Sequence, residues 1–264
     1  MSTLPTWPAL RALTAARIGL ARSGASLGTA PLLDFRLAHA RARDAVHAKL
    51  DEPALQAALA APVLVVSSQA AERRTYLMRP DFGRRLDAAA EATLAPHAGA
   101  HDLAVVLGDG LSAQALQHHA APLLAILGPA LRAGGWSVAP LVLVRGARVA
   151  VGDAVARALG ATAVLVLIGE RPGLSAPDSL GAYMTWGPGP GSVDADRNCI
   201  SNIRPEGLRY DDAAFRIHHL LERMRGLGIS GVGLKDESDG TASRPTEASV
   251  LPSPAGRLQA KFAV

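Results

Sequence analysis

Cys199 is the only cysteine in the chain, and it sits within Arg197-Asn198-Cys199-Ile200-Ser201-Asn202. A thiol attacks as its thiolate, which requires a base or a cation beside it. Arg197 is close in sequence, but no partner histidine can be identified, and a lone cysteine more often packs or lines a site than reacts. Glu170 is the second residue with chemistry to offer. It follows the apolar run Ala163-Val164-Leu165-Val166-Leu167-Ile168, and ligands of open α/β sheets bind beyond the carboxyl ends of the strands. It is therefore read either as a ligand contact or as the ion-pair partner of Arg171. Val149 follows the short turn Arg145-Gly146-Ala147-Arg148 that ends the preceding strand, so it belongs to the same rim.

Phosphate chemistry has one candidate. Gly108-Asp109-Gly110-Leu111-Ser112-Ala113 follows a strand and opens a helix, the context of a dinucleotide fingerprint, in which glycines let backbone amides approach a phosphate. The acidic residue expected about 20 positions later to hold a ribose is missing, since no Asp or Glu occurs between Asp109 and Asp153. A tight turn capped by Ser112 is the competing reading. The eight histidines show no metal-ligand spacing: His118-His119 and His218-His219 are adjacent pairs that would point in different directions, and no second cysteine supports zinc. No protein-bound metal ion is expected.

These residues need a frame, and the hydrophobic pattern supplies it. After Pro62 short apolar runs alternate with helical patterns: strand 63–67, helix 81–94, strand 103–107, helix 112–132, strand 138–144, helix 153–159 and strand 163–168. Strict alternation argues for a parallel sheet covered on both faces, because each crossover is long and lands a helix on the sheet. The expected class is α/β, a Rossmann-like parallel sheet domain over residues 61–236, preceded by a small helical N-terminal domain over residues 1–60. In the latter, helices are expected over 8–24, 31–50 and 51–60, the first as an amphipathic docking helix or, alternatively, a targeting segment. Residues 169–207 lack either period and read as a long functional loop. A last helix fits 211–225. Residues 237–264, rich in Ser, Thr, Pro, Ala and Gly, read as a disordered tail.

Composition narrows the function classes. Apolar residues make up 49% and charged ones 19%, with a formal charge of +4, which is enough for one large globular domain. Only Lys49, Lys235 and Lys261 are lysines and 4% of residues are aromatic, against the clustered cations and stacking platforms of nucleic-acid binders. A single cysteine rules out an internal disulfide and fits a reducing compartment. No apolar run approaches the roughly 20 residues of a membrane span.

A series of motifs in order goes further. Thr14-Ala15-Ala16-Arg17-Ile18-Gly19-Leu20, His39-Ala40-Arg41-Ala42-Arg43-Asp44-Ala45-Val46 and Arg79-Pro80-Asp81-Phe82-Gly83-Arg84-Arg85-Leu86 come first. Asp109-Gly110-Leu111-Ser112, Arg148-Val149-Ala150-Val151-Gly152-Asp153, Gly169 to Gly173 and Asp196 to Ile203 follow. Together the series resembles the small (light) subunit of ethanolamine ammonia-lyase, over roughly Ala9 to Asp236. The resemblance implies an adenosylcobalamin-dependent lyase that converts ethanolamine to acetaldehyde and ammonia. It implies a large (heavy) subunit that holds the substrate, with the small subunit closing over the corrin at their interface. Carried over by motif, Val149, Glu170 and Cys199 would touch the cobalamin, and no residue of this chain would be catalytic.

The Asp-x-His-x-x-Gly signature, by which other cobalamin domains offer histidine to cobalt, is absent, so the cofactor would keep its own dimethylbenzimidazole as lower ligand. Histidine nitrogen in the electron paramagnetic resonance spectrum of the cob(II)alamin complex would contradict that. By resemblance the enzyme belongs in a bacterial microcompartment, or in the cytoplasm, since the longer leader of encapsulated relatives has no counterpart here. Two other readings stay open: a stand-alone nucleotide-binding α/β enzyme or module using Gly108 to Ala113, and an interaction protein working through its arginine-rich N-terminal helices.

Overall fold

The computed structural model describes residues 6–14, 16–59 and 61–238. The chain begins with the short helix α1 (Trp7–Arg11) and a two-stranded ribbon, β1 (Arg22–Ser23) paired with β2 (Ser26–Leu27). The helix expected over 8–24 is therefore confined to its first turns. Gly19 and Gly24 take positive φ, 57° and 60°, a conformation that glycine adopts freely and that ends a right-handed helix. Helices α2 (Thr29–His47) and α3 (Glu52–Leu59) follow near the expected positions. Asp51 Oδ1 accepts the Ala54 amide at 3.1 Å as the α3 cap, and Leu55 is fully buried in the main core.

The alternating segment then runs β3 (Val63–Ser67), α4 (Arg73–Met78), α5 (Ala90–Leu94), β4 (His101–Gly108), α6 (Ala113–Ala133), β5 (Leu141–Arg145), α7 (Val151–Leu159) and β6 (Ala161–Gly169). One expected helix, 81–94, is broken. A 3₁₀ turn occupies Phe82–Arg84, Leu86 bridges to Ser68, and Asp87 Oδ1 accepts the Ala89 and Ala90 amides to start α5. The asparagine-like capping ability of Asp87 wins over the helical spacing.

The larger correction concerns 169–207. This segment contains two further strands, β7 (Leu180–Trp186) and β8 (Arg197–Ile203), before the closing helix α8 (Tyr210–Leu227). The six strands are ordered β3-β5-β4-β6-β7-β8. The first four are parallel, β7 is antiparallel to β6, and β8 is antiparallel to β7. The sheet is mixed, not parallel throughout, and the fold is α/β.

Strand residues alternate between two cores, as the pleat requires. Leu103, Val105 and Leu107 pack with Leu116 and Leu123 of α6 and Leu220 and Leu221 of α8. Ala104 and Val106 pack with Leu94 of α5 and Val151 and Val155 of α7. The helix after β4 and the helix after β5 thus cover opposite faces. Between such neighbouring strands a crevice opens at the carboxyl edge, and the loops 109–112, 146–150 and 170–179 gather there.

Candidate functional site

The rim is built around a buried carboxylate. Asp109 Oδ1 accepts the amides of Gly110 and Ala147, each at 2.9 Å, and Oδ2 accepts the Gly146 amide at 3.0 Å. Burial pushes this acid above its ordinary range, while the three amides and the Arg73 guanidinium act the other way. Arg73 clamps the same loop from α4, donating to the carbonyls of Gly110 (2.7 Å), Leu111 (2.9 Å) and Val46 (2.8 Å). Gly110, at φ 59°, lies so close to the Gly169 carbonyl that a Cβ would collide with it, and the Leu111 amide donates to that carbonyl at 3.0 Å. Ser112 Oγ accepts the Ala115 amide as the α6 cap.

This arrangement answers the phosphate question. The amides of Gly110 and Leu111 are already committed to Asp109 and Gly169, and a buried acid stands where an anion would lie. Phosphate cradles need free amides and positive potential, and this turn offers neither. Its glycines serve loop packing.

Beside the turn lies a cleft of about 460 Å³, lined by Tyr76, Leu111, Arg148, Val149, Ile168, Gly169, Glu170, Arg171 and Tyr183. Val149 sits in the turn that leads into α7, and its amide donates to no protein acceptor among the described residues. Glu170 does not pair with Arg171. Its Oε2 accepts the Asn202 amide at 3.1 Å, its own amide donates to the Ser179 carbonyl at 3.0 Å, and Oε1 has no protein donor among the described residues. Asn202 holds a positive φ of 58°, a strained setting that asparagine tolerates better than most residues. The cleft floor is stiff: the Tyr76 hydroxyl donates to the Ala147 carbonyl at 3.0 Å, and Arg148 stacks 4.2 Å from the Tyr76 ring. Burial pushes the Tyr76 hydroxyl up to about 12, so it stays a proton donor.

Cys199 stands opposite Tyr183 across the β7–β8 register and is exposed in the isolated chain. Desolvation of the sulfur pushes its pKa up, the Glu170 carboxylate adds to this, and the Tyr183 hydroxyl opposes both. An activated thiol needs the opposite shift. Arg197 gives it no help, because its guanidinium is buried in a bidentate pair with Asp153, 2.7 Å at both oxygens, with Thr185 Oγ1 at 2.9 Å. This pair escaped the sequence reading. The only trace of it is an acid in the first turn of α7, a helix whose other charged residue, Arg157, lies in its last turn.

Val149 and Glu170 therefore share one cleft, with Tyr183 between Glu170 and Cys199. The histidine pairs behave differently from each other. His218 faces Glu222 (3.6 Å) and His219 stacks on Phe215, so they diverge as expected. His118 and His119 do not diverge: both reach the Asp178 carboxylate, His118 Nδ1 at 3.8 Å and His119 Nε2 at 3.7 Å. The 170–179 loop brings Asp178 over the start of α6, where Ser112 Oγ donates to the Pro177 carbonyl at 3.2 Å.

Residues 5–235 match the family model described as Ethanolamine ammonia-lyase light chain (EutC). The chain belongs to that family. Similar proteins named ethanolamine ammonia-lyase small subunit include one from Ralstonia nicotianae, 54% identical over 240 residues, covering 88% of this chain and 89% of the relative. One from Xanthomonas campestris pv. campestris is 53% identical with 88% of each chain covered, and one from Azotobacter vinelandii is 51% identical with 90% and 93% covered. The light-chain match takes in every element that builds the cleft, from α4 to β8. Among the described residues of this light-chain family member, no helix is long and apolar enough to cross a membrane. The expected tail, 237–264, lies outside the described residues except for Glu237 and Ser238.

Proposed function

We propose that this chain is the small subunit of an adenosylcobalamin-dependent ethanolamine ammonia-lyase, converting ethanolamine to acetaldehyde and ammonia with a large subunit. In this reading Val149, Glu170 and Cys199 hold one edge of the corrin. The observation that carries it is the donor set of the cleft: a free backbone N–H at Val149 and a free carboxylate oxygen on Glu170, on one rim. A corrin edge bears carboxamide side chains, which present N–H donors and carbonyl acceptors. Glu170 Oε1 accepts an amide N–H, and the Val149 amide donates to an amide oxygen. Cys199 stays protonated and packs beside the ring.

The cleft is smaller than a corrin, so this chain seats an edge and leaves the remainder to a partner. When bound, the cofactor would supply the radical chemistry. The contribution of this chain is orientation and exclusion of water, for which Leu111, Val149 and Ile168 give the cleft an apolar wall. Tyr76, Tyr183 and Cys199 all have raised pKa values that keep them protonated.

The purified chain alone should release no acetaldehyde from ethanolamine, and mixing it with a family large subunit and adenosylcobalamin should restore turnover. Sustained turnover by the single chain would overturn the reading.

A further inference from the structure

On the α6 face of the sheet edge, one ring nitrogen each of His118 and His119 and an Asp178 oxygen all lie within 4.8 Å of one another. Only 5% of the His119 side chain is exposed. Among the described residues its Nε2 is a buried polar atom that makes no hydrogen bond of good geometry; it lies 3.7 Å from the Asp178 carboxylate, with only a weaker contact to the Asp178 backbone. Buried polar atoms are nearly always satisfied, and an exception commonly marks a bound water or ion. The other ring nitrogen, Nδ1, is 2.8 Å from the Tyr210 hydroxyl at the start of α8. A proton on Nδ1, donated to that hydroxyl, leaves the Nε2 lone pair aimed at the Asp178 carboxylate. This is how histidine ligands are commonly oriented, with the far nitrogen fixed by a hydrogen bond.

We infer that His118, His119 and Asp178 form a binding site for a divalent transition-metal ion, with Zn²⁺ as the reference ion. Two imidazoles and one carboxylate are a zinc-type donor set, with bonds of about 2.0–2.2 Å that place tetrahedral ligand atoms about 3.4 Å apart. The separations from Asp178 Oδ2 are 3.7 and 3.8 Å and the two imidazoles lie within 4.8 Å of each other, so closing to that value requires the exposed His118 ring to swing toward His119. His118 is largely exposed and Asp178 partly so, which leaves the fourth position open to water. The ion would pin the 170–179 loop to α6 and stands independently of the cobalamin reading.

The test is calorimetric titration of the full chain with ZnCl₂, backed by visible absorption of Co²⁺ in place of zinc. The site predicts one saturable equivalent and a cobalt spectrum of low coordination number. Tyr210→Phe, which removes the hydroxyl orienting His119, should weaken binding by about 10–100-fold, and His118→Ala or Asp178→Asn by at least as much. His118 is exposed, so His118→Ala alone decides the matter if Asp178→Asn fails to fold. Absence of a saturable equivalent, or affinity unchanged in His118→Ala, would overturn the site, as would binding lost only in Cys199→Ser.

Discussion

Glu170 is held on one side and free on the other. Asn202 donates its amide to Oε2, which fixes the carboxylate, while Oε1 has no protein donor among the described residues. Glu170→Gln preserves shape and removes the charge, so cobalamin affinity of the reconstituted complex should fall by about 1.5–3 kcal/mol, the worth of a hydrogen bond to a charged group. An unchanged dissociation constant in equilibrium binding would refute the contact. The Cys199 thiol carries the opposite lesson. Its pKa lies above the ordinary value of 9.0 because desolvation and then Glu170 disfavour the thiolate against the Tyr183 hydroxyl. Alkylation by iodoacetamide should therefore be slow at neutral pH in the isolated chain and rise with a midpoint above that of a free cysteine. A midpoint below it would restore the nucleophile reading. The position of Glu170 and Val149 on one cleft was legible because Glu170 comes just after an apolar run and Val149 after the short turn that ends a strand, both at the carboxyl edge of the sheet. Asp153 and Arg197 were not, because 44 residues separate partners that only the fold brings together.

At the scale of elements, the Asp153–Arg197 pair ties α7 to β8, the outermost strand. Each side chain is less than a tenth exposed. Removing one partner leaves a buried charge uncompensated, which costs about 3–5 kcal/mol. Asp153→Ala should lower the urea midpoint accordingly, while a loss within about 0.5 kcal/mol, typical of surface changes, would show that the pair is not buried in solution. A second tie joins α8 to the end of α6. Glu222 accepts the Trp136 indole N–H at 2.6 Å and pairs with Arg225 at 2.5 Å. Desolvation opposes its ionisation, but these two bonds outweigh it and hold its pKa below the ordinary 4.5. A depressed carboxylate stabilises the fold above its unfolded pKa and loses that contribution as pH falls through the folded value. Stability of the wild type should therefore drop more steeply below pH 4.5 than that of Glu222→Gln, and parallel acid curves would remove Glu222 from the account. The parallel strands were visible as uninterrupted Val/Leu/Ile runs, the mark of burial on both faces. Strands β7 and β8 were hidden for a physical reason. Leu180-Gly181-Ala182-Tyr183 mixes small and polar residues, a register shift falls between Leu180 and Ala182, and β8 buries an arginine where the pattern expects a hydrophobe.

For the whole molecule, the mixed sheet makes a different object from the parallel one expected. The β6–β7–β8 extension turns the supposed loop into a wall, with Glu170 at its base and Tyr183 and Cys199 along it. The wall stands on one side of a cleft whose other side is formed by Tyr76, Arg148 and Val149. In the proposed function a large subunit and cobalamin close over this edge together. Cys199, the single cysteine of the chain and exposed in isolation, is a built-in reporter for that closure. The decisive measurement is the rate of Cys199 alkylation, followed by mass spectrometry of its peptide, for the chain alone, with the large subunit, and with the large subunit plus cobalamin. The rate should fall on assembly and fall further when cobalamin is added. An equal rate in all three states would contradict that closure.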